Sequence, residues 1–295
     1  MAFHTLNRKL FTLEQWCIGW APATIEQFLS DPARVNFSWL KPRSNREFLA
    51  DPFGVEVDGR LTIFAEKLVW GGHKGQIVKI EVGGAAAPAQ TVVADACHAS
   101  YPFVVRDGAT AYMVPEISER GDLTFYQVDK DRLGAPAARI PSFAAIDPTF
   151  LFHEGTWWLF CTHPQADNRE LNLYFSDRLF GPYQPHPQNP VVADPSCARP
   201  AGGIIESAGG LLRPAQDCSQ TYGGAVALCQ IEVLTRHEYR ERVVRRLAPD
   251  LLAGGFAAGF HTLSHTENFV LVDTKRYAQH PLATPIKLCH RVRFP

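Results

Sequence analysis

The sequence predicts an all-β fold, a five-bladed β-propeller with a short N-terminal helical segment, and three observations carry that expectation. First, the segments starting at Ala50, Ser100 and Ile146 are copies of one pattern: ADPFGVEVDGRLTIFAE, SYPFVVRDGATAYMVPE and IDPTFLFHEGTWWLFCT. Second, each copy sets Asp or Tyr before a proline and then runs through two β-rich stretches. A Gly-centred turn (Asp58-Gly59, Asp107-Gly108, Glu154-Gly155) separates them, which is hairpin chemistry. Third, a looser copy starts at Ala198 and a degenerate one lies near Gly259. The key residues Asp51, Tyr101, Asp147, Arg199 and His261 are then 50, 46, 52 and 62 residues apart. A period near that length with a hairpin inside each unit describes a propeller blade.

Taken in order, the residues before the first copy begin with a strand-like segment, EQWCIGWAP, expected to pair with the last blade and close the ring. Thr24 caps a short helix over IEQFLSDP, and Pro32 marks its exit. Blades start near residues 50, 100, 146, 198 and 258, and residues 1–295 read as a single domain. Outer strands read as LTFYQV (123–128), NLYFS (172–176) and AVALCQIE (225–232), while GGAAAPAQ (83–90) reads as a loop. Thr235 and Glu238 have capping-box spacing and predict a short helical turn. The basic run from Arg236 to Arg246, interleaved with Glu238 and Glu241, reads as a solvated edge strand.

Composition is that of an ordinary globule: 46% hydrophobic, 20% charged, with 22 Gly and 22 Pro to supply many turns. A net charge of −1 gives no electrostatic reason to bind nucleic acid. No apolar run is long enough to span a membrane, and MAFHTLNRKLFTLEQW lacks the apolar core of a signal peptide. Seven scattered cysteines without a C-x-x-C pair indicate neither zinc nor a redox motif; they read as free thiols in a cytoplasmic protein. Serine-hydrolase, P-loop, zincin and dinucleotide motifs are all missing, so no cofactor is expected. His261 and His265 would stand about 13 Å apart on a strand, too far to share one metal ion.

A propeller brings the start of every innermost strand to one axial funnel. Asp51 and Asp147 each precede a proline there, where Asp either caps a turn or points into the funnel. Glu66 and Glu116 follow their key residues by 15 positions, and Thr162 takes that place in the third copy. Carboxylates ending apolar strands need a partner or a polar channel. His98 and Tyr101 front the second copy, His261 the fifth. The polar segment RPAQDCSQTYGG (213–224) adds Arg213, Gln216, Asp217 and Tyr222. The expected catalytic groups are Asp51, Asp147, Glu116 and Asp217. The expected substrate-binding groups are His98, Tyr101, Arg199, Arg213, Gln216, Tyr222 and His261. Acids, bases and aromatic rings around one opening suit a polyhydroxylated ligand.

The stretches ADPF (50–53), HASYPFV, SDRLFGPYQPHPQNPVV (176–192) and RPAQDCSQTYGG resemble the N-terminal domain of the glucosamine inositolphosphorylceramide transferases, over roughly residues 14–245. The resemblance implies a five-bladed propeller akin to family 43 glycoside hydrolases, with Asp51 as general base and Asp147 as the carboxylate that tunes and positions. The hydrolases take a Glu acid from the following blade, which here opens with Arg199; Asp217, Glu116 or Glu66 would have to substitute. In the plant members a separate C-terminal domain carries the recognised transferase fold.

Three functions follow as expectations. The first is glycosyl transfer from an activated sugar donor to a glycan or lipid-linked acceptor, with Arg199 and Arg213 holding an anionic leaving group and a partner enzyme of glycan assembly nearby. The others are glycoside hydrolysis with Asp51 as base, and sugar binding without catalysis.

Overall fold

A computed structural model of the chain describes residues 10–83, 89–130 and 132–293, the last three of these by backbone alone. Residues 84–88 of the expected loop lie outside the described residues. The chain enters through β1 (Thr12–Ala21), a short helix α1 (Ile25–Ser30) and β2 (Ser38–Leu40). Thr24 caps α1 as the sequence requires: its hydroxyl accepts from the Gln27 amide, and the Gln27 side chain accepts from the Thr24 amide.

Four sheets then follow in chain order. The first holds β3 (Glu47–Val57), β4 (Arg60–Val69), β5 (Gln76–Glu81) and β6 (Gln90–Val93). The second holds β7 (Ser100–Asp107), β8 (Thr110–Glu116), β9 (Leu123–Asp129) and β10 (Arg132–Ile140). The third holds β11 (Ile146–His153), β12 (Thr156–Thr162), β13 (Asn172–Ser176) and β14 (Gln184–Pro185). The fourth holds β15 (Ile205–Ser207), β16 (Gly210–Asp217), β17 (Ala225–Leu234) and β18 (Tyr239–Leu247). The fifth blade is built from both ends of the chain: β19 (Leu263–His265) and β20 (Val270–Gln279) are completed by β1 and β2. β1 pairs antiparallel with β20 from Thr12 opposite Gln279 to Ala21 opposite Val270, which closes the five-bladed ring. Closure leaves no long sheet edge at the joint.

The repeat register has a physical expression. In β3 the ladder skips between Ala50 and Phe53, in β7 between Ser100 and Phe103, and in β11 between Ile146 and Thr149. Each skip is a bulge made by a residue followed by proline, which has no amide hydrogen to donate. Asp51, Tyr101 and Asp147 take the left-handed region with φ of 51°, 40° and 49°. Such a conformation costs about 1–3 kcal/mol in a residue with a side chain and recurs at functional sites. Here it turns three side chains off the sheet and toward the axis. The fourth and fifth blades reach the same place differently: isolated bridges Pro200–Ala215 and Gly259–Lys275 precede β15 and β19. These blades therefore begin pairing later than the key residues Arg199 and His261.

One local expectation is corrected, and one element is added. Thr235–Glu238 is not a helical turn but the loop joining β17 to β18. The Thr235 amide donates to the Glu238 carbonyl, and the Thr235 hydroxyl accepts from the Glu238 amide. Thr-x-x-Glu serves a hairpin loop as well as a helix start. A second helix, α2 (Ala283–Arg293), follows the last strand and has no counterpart in the expected fold. All seven cysteines are free thiols.

Apolar faces of neighbouring blades stack between the sheets. Phe53, Phe103, Phe125, Phe150 and Trp157 form one such layer around Tyr101, and each is buried. Burying one such side chain stabilises by about 1.5–3 kcal/mol. Within the layer Phe53 packs edge-on against Tyr101 and Phe103, with ring centroids 4.8 and 5.4 Å apart.

Candidate functional site

At the mouth where the inner strands begin, hydrogen bonds run from blade to blade. The Asp51 amide donates to Asp273 Oδ2 at 3.0 Å, the Tyr101 amide to Asp51 Oδ2 at 3.3 Å, and the Asp147 amide to Glu116 Oε2 at 3.0 Å. Every strained bulge residue is thus held by a carboxyl group of an adjacent blade. Tyr101 is buried on the axis. Its hydroxyl accepts from the Gly202 amide at 2.8 Å and sits 2.8 Å from Thr149 Oγ1. Gly202, at φ +133°, admits no side chain, because a Cβ would stand 1.9 Å from the Leu263 carbonyl.

Asp51 is the most constrained of these groups. Oδ1 accepts from the Thr262 hydroxyl at 2.7 Å and lies 3.7 Å from His261 Nε2. The other imidazole nitrogen, Nδ1, lies 2.6 Å from Asp273 Oδ2, and Asp273 also receives the amides of His261 and Thr262 at 3.0 Å each. Trp16 stacks on His261 with ring centroids 3.8 Å apart, and Tyr222 meets it edge-on at 5.5 Å. Burial raises the Asp51 carboxyl to about 7; His261 opposes that shift, and the nearby Glu66, Asp147 and Asp273 add to it. Burial alone would depress His261, but Asp273 and Asp51 outweigh it and the imidazole holds its proton more tightly than usual.

Across the mouth, Arg199 grips Asp147 through Nε at 2.6 Å and Nη2 at 3.4 Å, and Gln216 Nε2 donates to the same carboxylate at 2.9 Å. The guanidinium also lies 5.1 Å from the centre of the Tyr222 ring. Burial and then Asp147 raise Glu116 to about 8, so this carboxyl keeps its proton at neutral pH. His98 accepts the Gly75 amide at Nδ1 (3.1 Å) and presents Nε2 to Glu66 at 3.0 Å. Glu66 lies opposite Ala50, the residue before Asp51, in the β3–β4 ladder, which places Glu66 and its partner His98 on this side.

The fold therefore brings together Asp51, His98, Tyr101, Glu116, Asp147, Arg199, Gln216, Tyr222 and His261 of the expected residues. Two are placed elsewhere. Arg213 is wholly buried within the fourth blade, bound to Glu241 at 2.8 and 2.5 Å and to the Cys197 and Ala198 carbonyls. Alternation along β16 sends Gln216 to the funnel and Arg213 to the opposite side. Asp217 accepts from Ser219 and from Arg246 on β18. A clamp of two arginines on a leaving group is thus not formed. Three groups were not singled out from the sequence: Asp273, Trp16 and Lys275. A buried Asp and Lys inside the apolar run FVLVDTKRY were the available signal, since each needs a partner. Lys275 finds the Tyr222 carbonyl and the Trp16 face. Asp51, His261 and Asp273 present ligand atoms within 4.8 Å of one another, a spacing that also suits a cation.

The molecule defined so far is a five-bladed propeller with a ring of buried carboxylates at one mouth, two of them protonating near neutral pH. Residues 30–251 match the family described as glucosamine inositolphosphorylceramide transferase 1, N-terminal, and the chain belongs to that family. Relatives of that name from Oryza sativa subsp. japonica and Arabidopsis thaliana are 35% and 31% identical over 204 residues. Those matches cover 66% of this chain and 27% of each relative, so the chain spans about a quarter of their length. An exo-β-1,3-galactanase from Clostridium thermocellum shares the fold, with a TM-score of 0.52 at 12% identity, over 70% of this chain and 53% of the galactanase.

Proposed function

We propose that this domain works in glycosyl transfer from an activated sugar donor to a glycan or lipid-linked acceptor, with Asp51 as the base. The observation that carries the reading is Asp51 itself: a strained, buried carboxyl at about 7, backed by His261 and Asp273. A base poised there is half ionised at neutral pH and can take the proton of an acceptor hydroxyl. The acceptor oxygen then bonds to the anomeric carbon as the leaving group departs with its electron pair. Arg199 is the one expected arginine that reaches this mouth. Held by Asp147, it is fixed in place for a phosphorylated leaving group. The relatives' name pairs glucosamine with inositolphosphorylceramide, so an amino sugar and a phosphorylated lipid are the first donor and acceptor to try. Seven free thiols favour a reducing compartment, the cytoplasm, beside a partner enzyme of glycan assembly.

Hydrolysis is the second reading, favoured by the separation of two carboxyls into a base at about 7 and a proton donor, Glu116, at about 8. Incubating the protein with a panel of nucleotide sugars, acceptor lipids and nitrophenyl glycosides separates the two. Transfer predicts nucleotide release that depends on acceptor, with the nitrophenyl glycosides left intact. Cleavage of the glycosides alone establishes hydrolysis instead, and sugar affinity without turnover on any of them leaves only binding.

A further inference from the structure

The opposite mouth of the propeller carries a second ring, and the repeat register identifies it. Near the turn of each inner hairpin, five residues before its own cross-strand partner, stand Glu56 (opposite Leu61), Arg106 (opposite Ala111), Phe152 (opposite Trp157) and Glu206 (opposite Leu211). His265, opposite Val270, takes the same place in the fifth blade, whose turn is longer. All five line one cavity of about 680 Å³, a size suited to a small molecule. Phe53, Phe103 and Phe150 of the buried aromatic layer line it, and no residue of the Asp51 ring is among its lining residues.

The chemistry of this mouth differs from that of the first. Phe152 is 53% exposed although Leu151 before it and its cross-strand partner Trp157 are buried, and it lies against Trp157 with centroids 5.0 Å apart. Core packing does not require a phenyl ring facing water at a cavity wall. Carboxylates outnumber cations: Glu56, Asp58, Glu206 and Glu267 line the space against the single guanidinium of Arg106. Glu56 is fixed in place by the Thr266 hydroxyl at 3.0 Å and the Asn268 side chain at 2.7 Å. Burial depresses His265, which adds no positive charge near neutral pH. A concave, aromatic-walled space under an excess of negative charge concentrates cations.

We propose that this second mouth binds a small organic cation, an ammonium group on a compact body, with the charge between the carboxylates and the body on Phe152. The site is independent of the carboxylate ring and of the reaction assigned to it.

The test uses the whole chain with choline as probe and its uncharged isostere 3,3-dimethylbutan-1-ol as control, titrated by calorimetry and by ligand-observed NMR. Choline should bind roughly tenfold more tightly than the alcohol and weaken as salt is raised. Phe152→Ala and the double variant Glu206→Gln with Glu267→Gln alter exposed side chains. Each should weaken choline at least about fivefold with circular dichroism unchanged. Asp51→Asn should leave choline binding intact, so a failure of the transferase reading does not touch this one. Equal affinity for choline and the alcohol, no choline binding, or binding indifferent to both mouth variants would overturn the proposal. So would choline binding lost in Asp51→Asn and kept in the mouth variants.

Discussion

Asp51 is held by an amide on one side, a hydroxyl and an imidazole on another, yet its proton is retained to about 7. The sign of the resulting pH dependence is fixed. Folding raises Asp51 from 3.8 and Glu116 from 4.5, so the folded state binds more protons than the unfolded chain. Their contribution to stability is full below the unfolded values and is lost as pH rises through about 7 and about 8. Melting temperature should fall across that window. Asp51→Asn, which keeps shape and tolerates positive φ, should flatten the fall and melt above the parent at alkaline pH; parallel curves for the two would disprove the shift. Arg213 makes the opposite kind of prediction. Arg213→Ala strands Glu241 in the interior and should cost about 3–5 kcal/mol in urea unfolding, while the folded fraction keeps its ligand affinity. A selective loss of affinity would return Arg213 to the site. Periodicity could not have separated the two roles, because Arg213 and Gln216 lie three residues apart in one polar segment, and only the strand's register decides which of them faces the axis.

At the scale of elements, the hairpins of the first three blades were legible because their signals are local: a proline, a β-rich run and a turn glycine. The bulge was not legible in itself, but the proline that causes it was. Blades four and five begin with short bridges, and their sequences degrade in step, so Asp273 opposite Thr262 escaped alignment. The helix α2 starts in Ala283-Thr284-Pro285, a first-turn proline that allows a helix without demanding one. Contact between elements also explains one glycine of the polar segment. Gly223, at φ +56°, lies where a Cβ would stand 2.6 Å from His261 Cβ and 2.8 Å from the Trp16 ring. Gly223→Ala should therefore cost about 1–3 kcal/mol and unstack Trp16 from His261, seen as a shift in tryptophan emission. An unchanged melting temperature and spectrum would show that the stack is not packed as described.

At the scale of the whole molecule, closure of the ring assembles the site. The Asp51 amide meets Asp273 from 222 residues away, and β1 carries Trp16 onto His261. Deleting residues 1–21 would expose the edge of β20, and the variant should lose its cooperative melting and associate in size-exclusion chromatography. A monomer with parental melting would show that the fifth blade stands without β1. Five-fold repetition also gives the molecule two mouths of unlike chemistry, one protonated and charge-paired, the other aromatic and acidic. Among the described residues no helix is long and apolar enough to cross a membrane. The reaction proposed for Asp51, the register residue of the first blade, is tested by Asp51→Asn assayed for turnover and donor binding together. Turnover should fall roughly 10²–10⁴-fold while donor affinity stays within about twofold. Turnover that survives the substitution unchanged would show that Asp51 is not the base.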